Sequence, residues 1–258
     1  MLAPHTHPLL DHLPYIRHGF FSRHGGVSKG IYESLNGGGR HDKKEHILEN
    51  RQRVKDFFVA RKLLSLAQCH SSSVIMVDNK TTDNHIAADG MVCREKNLAL
   101  CILTADCAPL LLADKQQNII AACHAGWRGA TGGVIEETIR VMQKIGGQAK
   151  NMIAVLGPTI GPESYEVRED MVKVAIEKNP LAKNFFREKK YINQQDKLFL
   201  FDLPNFCMAL LQQQGVDSVA WLGVDTLYDD NFFSHRRNRL AGKDEYGRLM
   251  NVIMLAAA

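Results

Sequence analysis

No stretch of this chain reaches the roughly 18 uncharged apolar residues that a membrane-spanning helix needs. The opening MLAPHTHPLLDHLPY has neither a basic leading segment nor a continuous apolar run, so it is not expected to act as a secretory signal. There is no C-x-x-C, which argues against a closed zinc knuckle. The six cysteines fall mostly within apolar runs, as buried thiols of a reducing cytoplasm do, and do not suggest a disulfide framework. The formal net charge is only +4, which permits an anionic small substrate but does not supply the concentrated basic face of a nucleic-acid binder. Two basic clusters, Arg236-Arg237-Asn238-Arg239 and Arg187-Glu188-Lys189-Lys190, read as solvated faces. Internal repeats, linkers and low-complexity segments are also missing. What remains is an ordinary globular composition over 258 residues, enough to bury a core without disulfides or structural metal. Mixed strand and helix signals with little βαβ rhythm predict one α/β domain, residues 1–258, with mixed sheets.

The stretch Leu98 to Ala130 organises the chain. It reads as two apolar, strand-like runs. Asp106 and Cys107 break the first, and His124 closes the second just before Ala125-Gly126-Trp127-Arg128-Gly129. Asp114 to Asn118 makes a hairpin-length polar connection between the runs. An acid, a thiol and an imidazole at the ends of apolar runs suit the wall of a site better than a core.

Other elements follow from local signals. Strands are expected at Ile16 to Ser22, Val74 to Val77, Met152 to Leu156, Val219 to Val224 and Leu249 to Leu255. Helices are expected at about Gly132 to Ile145, Arg168 to Glu177 and Leu203 to Gln214, the last capped by Asp202. A further helix starts at Asp42, with Glu45 completing a capping box and Ile47, Val54 and Phe58 forming its apolar face. Arg51 lies in the middle of that face, either as a structural ion pair or beside an anion site. Gly37-Gly38-Gly39 reads as a flexible turn. Asn84 to Gly90 is polar and turn-like.

His70, Cys107 and His124 each sit at the end of a predicted strand, where side chains distant in sequence converge. Two imidazoles and one thiolate are a zinc set with an open fourth position. Their spacing matches no compact metal motif, and satisfied structural histidines with an inert thiol remain the alternative. Strand alternation turns Cys123 away from His124 into the core, and Cys101 also reads as core, leaving Cys107 as the ligating or reactive thiol. Arg128, beside a glycine turn that opens a helix, suits an anion. In Asn231-Phe-Phe-Ser-His-Arg-Arg237, aromatics beside basic residues suit either isolated nucleic-acid stacking or a loop that packs Ser234 or Arg236 back on the site.

These pieces together resemble the laccase-domain purine nucleoside phosphorylase family, also labelled multicopper polyphenol oxidoreductase or peptidoglycan editing factor. The matching residues are Ser34-Leu35-Asn36 with Asn50-Arg51, Gln68-Cys69-His70, Ala88-Asp89-Gly90, Thr104 to Pro109, His124 to Gly129, Gly157-Pro158 with Ile160-Gly161-Pro162, and Phe232 to Arg237. They span nearly the whole chain in order. Thr159 stands where many members of the family carry cysteine.

The resemblance implies an α/β/β/α sandwich related to cysteine hydrolases, and zinc held by His70, Cys107 and His124. It implies phosphorolysis of adenosine, inosine and methylthioadenosine, with adenosine deamination as a second activity. Asp106 is then expected to orient a ligand or water. Asn36, Arg51, Arg128, Ser234 and Arg236 are expected to meet nucleoside and phosphate. Two enzymatic alternatives stay open, beside a non-enzymatic one in which a partner-binding protein has kept the site. One is a hydrolase or amidase editing cell-wall precursors, with Cys107 as nucleophile and His124 as base. The other is a copper-dependent polyphenol oxidase, for which the only His-x-His unit is His5-Thr6-His7.

Overall fold

The computed structural model describes residues 2–39, 41–82, 86–189 and 197–257. Arg40, residues 84–85 of the predicted turn and Lys190 of the basic cluster lie outside them. The strands are β1 Ile16–Phe20, β2 Lys62–Ser65, β3 Val74–Met76, β4 Gly90–Cys93, β5 Leu98–Thr104, β6 Ala108–Asp114, β7 Ile119–Ala125, β8 Met152–Leu156, β9 Glu166–Arg168, β10 Phe186–Glu188, β11 Leu198–Phe201, β12 Ser218–Trp221 and β13 Leu249–Leu255. The helices are α1 Pro8–Asp11, α2 Lys44–Phe58, α3 Trp127–Thr131, α4 Val134–Lys144, α5 Glu169–Lys178, α6 Leu203–Gln213 and α7 His235–Leu240. None of the described helices is long and apolar enough to cross a membrane.

Side-chain alternation builds four layers. Along β5, Leu98, Leu100 and Ile102 face one way, and Ala99, Cys101 and Leu103 the other. The first set meets Leu111, Ala113, Ile120 and Ala122 of β6 and β7, forming the core between two sheets. The second set packs beneath Val54 and Phe58 of α2. On the far side, Leu110, Leu112, Ala121 and Cys123 lie under Ile135, Ile139 and Met142 of α4 and Phe206 and Leu210 of α6. The order is therefore α/β/β/α. A four-stranded sheet runs β1-β13-β5-β2, a six-stranded sheet runs β12-β8-β6-β7-β4-β3, and a small sheet runs β10-β11-β9. Both main sheets mix parallel and antiparallel pairs. Burying a side chain such as Phe58 in these layers contributes roughly 1.5–3 kcal/mol.

Three expectations change. The first apolar run is two strands: β5 belongs to the four-stranded sheet and β6 to the six-stranded one. Asp106, at φ 83°, makes the kink that carries the chain between layers. Second, the capping box does not form. Lys43 occupies the N-cap of α2 without a side-chain cap. The Asp42 carboxylate is taken up by Ser28 Oγ (2.6 Å), Asn36 Nδ2 (2.8 Å) and the Lys43 amide (2.8 Å). Third, Gly37-Gly38 is close packing rather than a loose turn. A Cβ on Gly37 would stand 2.5 Å from Met250 Cγ, and one on Gly38 2.9 Å from Leu103 Cδ1.

Candidate metal centre

The site lies where β6 and β7 end. These strands pair Pro109 with His124 and Ala108 with Ala125, and β7 pairs Cys123 with Gly90 of β4. The alternation that points Leu111, Ala113, Ile120 and Ala122 into the gap between the sheets places Cys107, His124 and Asp89 on that same side. His70 reaches them from the loop before β3, with φ 60°, a left-handed conformation that a non-glycine residue adopts at a cost. Gln68 fixes this loop by bonding the Leu103 amide (2.8 Å) and carbonyl (2.7 Å) of β5.

The ligand atoms of His70, Cys107 and His124 all lie within 4.8 Å of one another. Cys107 Sγ stands 3.8 Å from His70 Nε2, and the two imidazole rings meet edge to face at 4.8 Å. Exposure rises across the set, from buried His124 through half-buried Cys107 to exposed His70. The cluster is thus closed on one side and open to solvent on the other.

Asp89 organises the cluster, a role that sequence reasoning did not give it. It is fully buried. One oxygen accepts from His124 Nδ1 (2.8 Å) and the His70 amide (3.0 Å), and the other from the Ser71 amide (2.6 Å) and hydroxyl (2.7 Å). A carboxylate can only accept here, so His124 carries its proton on Nδ1 and turns Nε2 toward the cluster. Burial alone would raise the Asp89 pKa, but the bonds from His124 and Ser71 hold it well below the usual carboxylate range. Burial likewise opposes ionising Cys107, yet His124 and His70 bring its thiol down to about 6. Burial opposes charging His124 as well, and Cys107 with Asp89 pushes it up to about 9. Cys123 differs: burial pushes its thiol up to about 12. Cys107 is the thiol available as thiolate at neutral pH, and Cys123 is a small core side chain.

These residues fit a metal ion. Tetrahedral zinc, with bonds of about 2.0–2.3 Å, sets neighbouring ligand atoms roughly 3.5 Å apart. The 3.8 Å Sγ–Nε2 separation is close to that value. Gly126 makes the approach possible, because a Cβ there would lie 2.8 Å from both Cys107 Sγ and His70 Cδ2. Among the described residues this is the single His/Cys/Asp/Glu group of such geometry. His5 and His7 serve elsewhere: His5 bridges to Phe20, and His7 caps α1.

A cleft of about 180 Å³ opens from the triad, lined by His70, Cys107, Trp127, Arg128, Tyr165 and Arg236, together with Asp106 and His235. Arg128 lies over the Trp127 ring (4.5 Å) and Arg236 over the Tyr165 ring (5.4 Å). The Asp106 carboxylate is held at the cleft wall by two hydrogen bonds. It accepts from Thr226 Oγ1 (2.7 Å) and the Arg236 amide (2.6 Å), which ties α7 to the kink between the sheets. Thr159, fully buried, donates to the Asp106 carbonyl (2.7 Å) and so braces the same kink.

Three expected substrate residues do not line the cleft. Asn36 is buried and bonded to Asp42, Gly38 and Arg248. Arg51 donates to the Gly37 carbonyl (2.8 Å). Ser234 is the N-cap of α7 and accepts from the Arg237 amide. Tyr165 and His235 line it without having been singled out individually. The tyrosine sits in the turn-rich segment after Pro162, where nothing local marks it as functional.

Fold and site together define an α/β/β/α protein with a His–Cys–His cluster in a cleft of aromatic and arginine side chains. The family described as multi-copper polyphenol oxidoreductase laccase matches residues 17–256. A purine nucleoside phosphorylase of Rickettsia conorii is 33% identical over 78% of this chain and 81% of its own length. One from Deinococcus radiodurans is 33% identical over 93% and 89%. The crystal structure of a Neisseria meningitidis protein superposes with a TM-score of 0.84 at 30% identity, covering 100% of this chain and 99% of that one. The chain belongs to the laccase-domain purine nucleoside phosphorylase family.

Proposed function

We infer that the protein is a zinc-dependent purine nucleoside phosphorylase acting on adenosine, inosine and methylthioadenosine, with adenosine deaminase activity. The observation that carries this reading is the convergence of His70, Cys107 and His124 at the mouth of the arginine- and aromatic-lined cleft. His70 Nε2, Cys107 Sγ and His124 Nε2 would hold the ion. Bound there, zinc supplies Lewis acidity and activates water near neutral pH.

The chain's own residues supply the rest. Asp89 fixes the His124 tautomer and anchors the His70 loop. Trp127 and Tyr165 offer faces for a purine ring, and Arg128 and Arg236 offer cations for phosphate. In phosphorolysis, a phosphate oxygen bonds to ribose C1′ as the glycosidic C–N bond breaks, and the base leaves with a proton. In deamination, water adds at C6 of adenosine and ammonia leaves. The arrangement of the cysteines as thiols supports a cytoplasmic setting.

The direct test is incubation of zinc-loaded protein with adenosine, with and without phosphate. Adenine with ribose 1-phosphate, formed only with phosphate, supports phosphorolysis, and inosine supports deamination. Absence of both products would refute the reading.

One observation favours a second reading. Cys107, His124 and Asp89 follow one another as thiol, imidazole and carboxylate, the order of a cysteine hydrolase relay. Amidase activity that persists after complete zinc removal would select it. The copper oxidase reading has less support, since the paired histidines it needs lie away from the triad.

A further inference from the structure

The cleft at the triad does not end at its far wall. Trp127, Tyr165 and Arg236 also line an adjoining basin of about 430 Å³. These three side chains form a neck between the two. Both flanks of the neck are held in place: Tyr165 packs on Phe201 (5.9 Å between centroids), and Arg236 Nη1 donates to the Glu166 carbonyl (2.8 Å). The second basin is built by β9, the first turn of α5 and the start of β11. Met171 and Leu198, the latter paired across the strands with Arg168, give it an apolar wall, and Arg168 and Asp170 bring charge; Val167 turns its side chain into the core.

The charges discriminate among occupants. Among the described residues, neither Arg168 nor Asp170 makes a side-chain hydrogen bond or ion pair, whereas Glu166 is engaged by Lys189. Arg236 gives one donor to the Glu166 carbonyl and its face to Tyr165, and its remaining donors are those offered to phosphate in the first basin, which leaves Arg168 to the second. One available cation and one available anion flank an apolar wall. A dianionic phosphate would meet Asp170 and Glu166. A purely apolar chain would leave both charges unused. A group carrying both signs answers both.

We propose that this basin is a second subsite, occupied by a chain on the 5′ carbon of a purine nucleoside that is apolar next to the ribose and ends in an α-amino acid. Met171 and Leu198 take the methylene and thioether part of such a chain. Arg168 takes its carboxylate and Asp170 its ammonium. The purine and ribose stay in the first basin, with Trp127 and Tyr165 at the neck. The assignment rests on the phosphorylase reading for the identity of the nucleoside, and on the joined basins for the chain.

The test compares adenosine with its analogue bearing a 5′-thioether-linked α-amino acid, using zinc-loaded protein and phosphate. Turnover of both is expected. In Arg168→Gln, the ratio of kcat/KM for the long substrate to that for adenosine should fall about tenfold, the loss of one charge-assisted contact. Asp170→Asn should lower the same ratio, while restoring charge with Arg168→Lys should recover part of it. Turnover of adenosine alone, or a ratio unmoved by Arg168→Gln, would overturn the subsite. If neither compound reacts, the phosphorylase reading fails. Calorimetric binding of the long analogue to wild type and Arg168→Gln then decides the subsite alone: weaker binding by the variant supports it, and equal binding or none refutes it.

Discussion

Gly126→Ala isolates the close approach on which the triad depends. Gly126 has φ −73° and ψ 165°, a conformation open to any residue, so the substitution adds no backbone strain. Its effect comes from space alone. The new Cβ would lie 2.8 Å from Cys107 Sγ, 2.8 Å from His70 Cδ2 and 3.4 Å from His70 Nε2. Ordinary carbon contacts begin at about 3.5 Å, so both side chains must withdraw by over half an ångström. Overpacking of this kind costs roughly 1–3 kcal/mol, offset by about 0.4–1 kcal/mol because alanine restricts the unfolded chain. Global stability therefore drops modestly. Zinc binding suffers more, because two of three ligands are displaced. A loss of about 10–100-fold is expected, the scale seen when outer partners of metal ligands are disturbed. Competition with a chromophoric chelator measures the zinc affinity, and a thermal melt of the metal-free protein measures the fold. Wild-type zinc affinity in a well-folded alanine variant would refute the geometry described for the triad.

Asp89→Asn should destabilise the metal-free protein by about 3–5 kcal/mol, because a buried acceptor of several hydrogen bonds is replaced by a group that also donates; chemical denaturation reads this directly. Alkylation of Cys107 in metal-free protein should follow a thiolate whose pKa has been lowered to about 6 from an ordinary 9. The modification rate should rise between pH 5 and about 7 and then level, since protonation removes the thiolate as pH falls through about 6; an increase continuing to pH 9 would contradict the His124 and His70 contacts. Arg128→Gln should raise the KM for phosphate about tenfold or more in a phosphorolysis assay while leaving the melting temperature nearly unchanged, because the side chain lines the cleft and lies outside the core.

Much of the fold is legible because local signals and burial agree. β13 occupies Leu249–Leu255 as its apolar run suggests, and the Asp114 to Asn118 connection is a hairpin turn between β6 and β7. The change of sheet between β5 and β6 is not legible. Every residue of both strands is buried, so neither strand shows an alternation that would tell one face or one sheet from another. Cys107 and His124 can be placed at strand ends, and parity separates Cys123 from them, as the structure bears out. Asp89 is hidden for a different reason. In sequence, Ala88-Asp89-Gly90 reads as a turn, and its role arises only when β4 brings it beside His124 and under the His70 loop. Asp42 errs the other way. Its local pattern is a good helix cap, but contacts with Ser28 and Asn36 claim the carboxylate.

The claim at the centre of this account is that His70, Cys107 and His124 form one metal site. X-ray absorption on the zinc-loaded protein, with metal content measured on the same sample, tests it most directly. One zinc per chain is expected, bound by one sulfur at about 2.3 Å and two imidazole nitrogens at about 2.0–2.1 Å, with the sulfur lost in Cys107→Ala. A stoichiometric zinc shell without sulfur, or unchanged zinc binding in Cys107→Ala, would contradict it.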